Sequence, residues 1–73
     1  MSKNTKNVGP AGYRWDRMSK AERLALIRTD ATMRHPHWTA LADRWASADW
    51  GQLTGLQREA TMDLFKSQGL SHL

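Results

Sequence analysis

Trp38-Thr39-Ala40-Leu41-Ala42-Asp43-Arg44-Trp45 carries its large apolar residues at positions 38, 41, 42 and 45. That spacing puts them on one face of a helix with about 3.6 residues per turn. Asp43 and Arg44 fall off the stripe, on the side left for water. The stripe predicts a core-facing helix. A chain of 73 residues must bury its largest side chains to fold at all. Pro36 fits the first helical position, where the missing N–H is no loss. Gly51 follows the predicted end, between Ser47 and Asp49.

Working outward, Ser19-Lys20-Ala21-Glu22 is a capping box, in which serine and glutamate satisfy each other's backbone N–H groups. It predicts a helix start, and Leu24, Ile27 and Ala31 continue it at helical spacing. Pro36 disfavours helical geometry at His35, so this helix is expected to end near Met33 or Arg34. On the other side, Thr54-Gly55-Leu56-Gln57 is a second capping box. The apolar line Leu53, Leu56, Ala60 and Leu64, widened by Phe65, predicts a helix ending at a left-handed Gly69. Leu70 is expected to fold back on its last turn. No strand alternation and no internal repeat is visible. The fold expected is all-α: a three-helix mini-domain over residues 13–73, preceded by a flexible basic N-terminal arm over residues 1–12. The arm is polar and carries Gly9-Pro10 as a breaker.

The chain has no cysteine, so neither a disulfide nor a Cys-based zinc site can staple it. Its four tryptophans can each bury on the order of 200 Å² and make a small core feasible. Trp50 is expected to close over that core. No apolar run approaches the ~20 residues of a membrane helix, and no apolar segment follows Lys3 and Lys6 as in a signal peptide. A soluble, intracellular protein is expected, with no membrane partner.

Charge is unevenly spread. Of eleven basic residues, eight lie in the first 34 positions: Lys3, Lys6, Arg14, Arg17, Lys20, Arg23, Arg28 and Arg34. Only Asp16, Glu22 and Asp30 oppose them there, giving that half a net +5. A basic segment carrying aromatic residues suits a negatively charged macromolecule. Tyr, Trp and Arg are also the side chains that dominate binding hot spots. The candidate partner-binding residues are therefore Lys3, Lys6, Tyr13, Arg14, Trp15 and Arg17, with Arg23 and Arg28 extending the basic surface along the first capped helix. Trp15 and Met18 have a competing role as a staple on that helix.

Catalysis finds no support. There is no cysteine nucleophile, no glycine-rich phosphate loop and no serine–histidine–aspartate arrangement. His35, Pro36 and His37, with the distant His72, lack the convergence a metal site needs and read as residues of a helix boundary. No enzyme activity, cofactor or metal is expected.

With its polar arm, then Gly12-Tyr13-Arg14-Trp15-Asp16-Arg17 before Ser19-Lys20-Ala21-Glu22-Arg23-Leu24, this short, basic, cysteine-free chain resembles a small transcription regulator encoded by a lytic phage of Xanthomonas. The resemblance spans the whole chain through length and composition. It carries no residue-by-residue roles. It implies a protein that binds host RNA polymerase at the N-terminal end of the β′ subunit, near the RNA exit channel, in the host bacterial cytoplasm. It further implies inhibition of host initiation by displacing the sigma factor, and antitermination. A basic arm there would meet the phosphates of nascent RNA. A monomer is expected.

The alternative is a small helix-turn-helix DNA-binding protein reading a groove with its last helix. Arg58 and Lys66 on that helix are balanced by Glu59 and Asp63, which disfavours it. A toxin-like nuclease is a weaker third reading, because no histidine–carboxylate pair supports it.

Overall fold

The computed structural model describes residues 2–69, with side chains from Gly9 onward. The chain is all-α, and no strand occurs among the described residues. Among the described residues there are four α-helices rather than the three expected: α1 (Ser2–Arg17), α2 (Lys20–Ile27), α3 (Thr39–Ser47) and α4 (Gly55–Ser67). Three short 3-10 turns, Ala31–Arg34, Pro36–Trp38 and Trp50–Gln52, join them.

The additional helix is the N-terminal one. It breaks at Gly9, whose φ of 73° and ψ of 176° are accessible to glycine almost alone. Pro10 then opens a fresh helical segment, as proline does at a first helical position. The break therefore falls at Gly9, not after Gly12. Tyr13, Arg14 and Arg17 sit on a helix, ahead of the first helix start that the sequence marks at Ser19.

α2 begins as its capping box predicts. The Glu22 N–H donates to Ser19 Oγ at 3.1 Å, and the Ser19 N–H donates to Glu22 Oε1 at 2.8 Å. It ends earlier than expected, at Ile27, and its buried face is Arg23, Leu26 and Ile27. The Thr29 hydroxyl donates to the Leu26 carbonyl at 2.6 Å, satisfying a group the ending helix leaves open. Ala31 lies in the following 3-10 turn, outside the core.

α3 ends at Ser47 as predicted, but its buried stripe is Ala42, Trp45 and Ala46. Trp38 and Leu41 are half-exposed, a correction to the expected stripe. For Trp38 the cause is local winding, because the α-helix begins at Thr39 rather than at Pro36. Trp38 closes a 3-10 turn begun by Pro36, and three residues per turn carry it out of α-helical register with Trp45.

α4 starts on the Thr54–Gln57 capping box and stops before Gly69, which takes the predicted left-handed conformation at φ 79°. Leu53, Ala60, Leu64 and Phe65 pack in or against the core as the apolar line predicts, and Leu56 alone departs from it. Thr61 and Phe65 are buried, whereas Leu56 is 78 % exposed. Buried Trp45 has an indole N–H that requires an acceptor. It donates to Thr61 Oγ at 3.0 Å, and the Thr61 hydroxyl passes a bond on to the Gln57 carbonyl at 2.7 Å. The polar requirement of a tryptophan thus accounts for the buried threonine on the apolar face of α4. Leu70 lies outside the described residues.

The core is Trp15, Leu26, Ile27, Ala42, Trp45, Ala46, Trp50, Leu53 and Phe65. Three of the four tryptophans are in it, Trp50 among them.

Candidate interaction surface

The second segment of α1 has two faces. Ala11, Gly12 and Trp15 turn inward, and Met18 just past the helix end is half-buried against the core; Pro10, Tyr13, Arg14 and Arg17 recur at i, i+3, i+4 and i+7 and turn outward.

The inward face is fastened by three ties. Trp15 is fully buried, and its indole N–H donates to the Ala48 carbonyl at 2.9 Å. Asp16 Oδ1 accepts from the Trp50 N–H at 2.8 Å. Arg23 supplies the third tie from α2. Its Nε donates to the Trp15 carbonyl at 3.0 Å, and its Nη1 donates to the carbonyls of Ala46 at 3.0 Å and Ala48 at 3.1 Å. The guanidinium lies 4.8 Å from the centre of the Trp15 ring, with Asp49 at 3.7 Å and Asp16 at 4.0 Å from Nη2. A buried cation is tolerable because every side of it finds a carbonyl, a carboxylate or a π-face.

Two of the residues expected to bind a partner are thereby removed from the candidate surface. Trp15 and Arg23 are interior, Arg23 being only 6 % exposed. A charged side chain reads as a surface residue by default, and only the fold reveals that this one ties three segments together.

Tyr13, Arg14 and Arg17 remain on the outside, with Tyr13 55 % exposed. Arg17 Nη1 donates to the Tyr13 hydroxyl at 2.6 Å, and its guanidinium stands 5.3 Å from the tyrosine ring centre. This pair preorganises both side chains. Among the described residues no ion pair occupies Arg14 or Arg17. Together with Pro10, Met18 and Glu22 they line an open cleft of about 400 Å³ between α1 and the start of α2. Pro10, Met18 and Glu22 were not anticipated there. The signal for Pro10 was the outward helical spacing from Pro10 to Arg17, hidden while that residue was read as part of an arm; Met18 and Glu22 come to the cleft only through the turn into α2.

Arg28 is exposed but stands at the far end of α2, whose eight residues span roughly 12 Å. It does not line the cleft. The side chains of Lys3 and Lys6 lie outside the described ones. A second depression, of about 330 Å³, has Asp30 and Asp63 on its rim and so differs in sign.

His35 and His37 act as turn residues. His35 Nδ1 accepts from the His37 N–H at 3.0 Å, capping the Pro36–Trp38 turn. No cluster of three or more metal-ligating side chains occurs among the described residues, and His72 is outside them. Likewise, no described helix is long and apolar enough to cross a membrane.

Comparison with family models, with curated proteins and with solved structures finds no match for this chain.

Proposed function

We propose that this chain is a non-enzymatic transcription regulator that binds host RNA polymerase in the bacterial cytoplasm. In this reading it engages the N-terminal end of the β′ subunit near the RNA exit channel, displaces the sigma factor at initiation, and promotes readthrough of terminators. The polymerase itself comes from the resemblance of the whole chain to a phage regulator. The observation that supports a binding role is the outward face of α1. Tyr13, Arg14 and Arg17 are held ready on a helix whose opposite face is locked into the core. Rigid presentation of hot-spot residues lowers the entropy lost on binding.

A groove-reading α4 is disfavoured further by Arg58. Its Nε donates to the Trp50 carbonyl at 3.1 Å and its Nη2 to the Gly51 carbonyl at 3.2 Å, so its polar edge is used inside the molecule.

The test is capture of polymerase from host lysate by the tagged full chain, after nuclease digestion and at about 0.15 M salt, where long-range charge is screened. Polymerase subunits retained by wild type and lost with Arg14→Glu/Arg17→Glu support the reading. Capture of no polymerase refutes it.

A further inference from the structure

We infer that the cleft beside Tyr13 takes a nucleotide of single-stranded nucleic acid, its base stacked on the tyrosine and its phosphates held by Arg14 and Arg17. The inference rests on the outward face of α1 being a partner surface, and it names the chemistry of the partner there.

Three features of the lining have to be satisfied at once. Arg14 and Arg17 are cations without a carboxylate partner among the described residues. Tyr13 offers an exposed aromatic ring already backed by the Arg17 guanidinium at 5.3 Å. Pro10 and Met18 add apolar surface beside it, and Glu22 adds a carboxylate at the rim.

A free inorganic anion would answer the arginines and leave the ring and the apolar wall wet. An acidic peptide would answer the arginines but has no planar base to stack on the exposed Tyr13 ring. A nucleotide answers all of them. Its phosphates meet the two guanidinium groups, and its base has a π-face for Tyr13, which is how sequence-tolerant single-strand binding works. The edge of the base can also donate to Glu22. That glutamate accepts from the Ser19 N–H through Oε1, which leaves the other oxygen for an exocyclic amino group, as carboxylates accept from cytosine N4. Duplex is a poor occupant, because its bases are stacked inside and unavailable to the tyrosine.

Two consequences follow for specificity. Single strands should be preferred to duplex of the same sequence. Bases with an exocyclic amino group should be preferred to thymine or uracil, which lack one.

The experiment titrates purified full-length protein, without polymerase, against end-labelled oligo(dC) and oligo(dT) 12-mers and a mixed-sequence 12-base-pair duplex. Wild type, Tyr13→Ala, Arg14→Gln/Arg17→Gln and Arg28→Gln are compared at several salt concentrations. Circular dichroism confirms that each variant is folded. The expected result is binding in the order oligo(dC), oligo(dT), duplex. Tyr13→Ala should weaken the single strand by about tenfold. The double arginine variant should lower the slope of log K against log salt by roughly 1.4, for two phosphates on a single strand. Arg28→Gln should keep the base preference.

Duplex bound as tightly as single strand overturns the inference, as does wild-type binding by Tyr13→Ala. Stronger binding of an oligo-glutamate peptide than of oligo(dC) overturns it in favour of an acidic protein segment. Oligonucleotide binding without polymerase capture would sink the proposed function and leave this inference standing; polymerase capture without oligonucleotide binding would do the reverse.

Discussion

Arg23→Met removes the guanidinium and keeps much of the buried volume, and the structure assigns it a large cost. Three hydrogen bonds to carbonyls go. Two of those carbonyls keep another donor: Trp15 O accepts from the Met18 N–H at 3.0 Å, and Ala48 O accepts from the Trp15 indole. Ala46 O loses the Arg23 donor, and a buried acceptor left bare costs about 1–3 kcal/mol. The contact over the Trp15 ring adds about 1–2 kcal/mol. Asp49 is 72 % exposed, so its attraction contributes no more than about 1 kcal/mol. The total expected loss is about 2–6 kcal/mol, which spans the cost found when one partner of a buried charged network is removed. For a domain of this size, each kcal/mol shifts Tm by about 4–8 °C, so the midpoint should fall by roughly 8–48 °C. Thermal and urea unfolding followed by circular dichroism read it. Arg23→Lys separates charge from geometry. One ammonium cannot reach the Trp15 carbonyl and the end of α3 together, so lysine should recover less than half of the loss. An Arg23→Met protein within about 0.5 kcal/mol of wild type would refute the structural role of Arg23 and return it to the candidate binding surface.

Trp45→Ala should cost about 3–5 kcal/mol in chemical denaturation, as for a fully packed aromatic residue, whereas Trp38→Ala, outside the core, should cost less than half as much; equal losses would contradict the observed register of α3. Thr61→Val keeps shape but strands the Trp45 indole N–H, so about 1–3 kcal/mol should disappear, and a neutral outcome would mean that Trp45 has another acceptor.

The helices were legible where punctuation and periodicity agreed. Ser19 with Glu22, Thr54 with Gln57, the end of α3 within the window from Ser47 to Asp49, and the left-handed Gly69 all stand where the sequence puts them. Caps are local chemistry, settled within four residues. Which residues each helix buries was less legible, because tertiary hydrogen bonds help decide it. Thr61 is buried where Trp45 needs an acceptor, and Leu56, in line with the packed Ala60 and Leu64, is left in solvent in the first turn of α4. No local pattern carries that information.

The candidate site was visible in part. Tyr13, Arg14 and Arg17 were marked by residue type and charge, and the fold groups them on one helix face. Trp15 and Arg23 bear the same marks, yet they are interior because they complete each other. The second segment of α1, from Pro10 to Arg17, is only two turns long. A segment that short gives almost no periodic signal, and it is held by one buried tryptophan and two polar ties.

The most direct test of a binding face on α1 is the affinity of purified, nucleic-acid-free host polymerase for three proteins: wild type, Arg14→Glu/Arg17→Glu and Arg28→Glu. Circular dichroism should first show that all three keep their helix content. The double variant is then expected to bind at least tenfold more weakly, with the loss persisting at about 0.15 M salt if the contact is buried. Arg28→Glu, a full helix length away, should bind much as wild type does. Equal affinity of the double variant and wild type, or a larger loss at Arg28, would contradict the assignment of the face formed by Tyr13, Arg14 and Arg17.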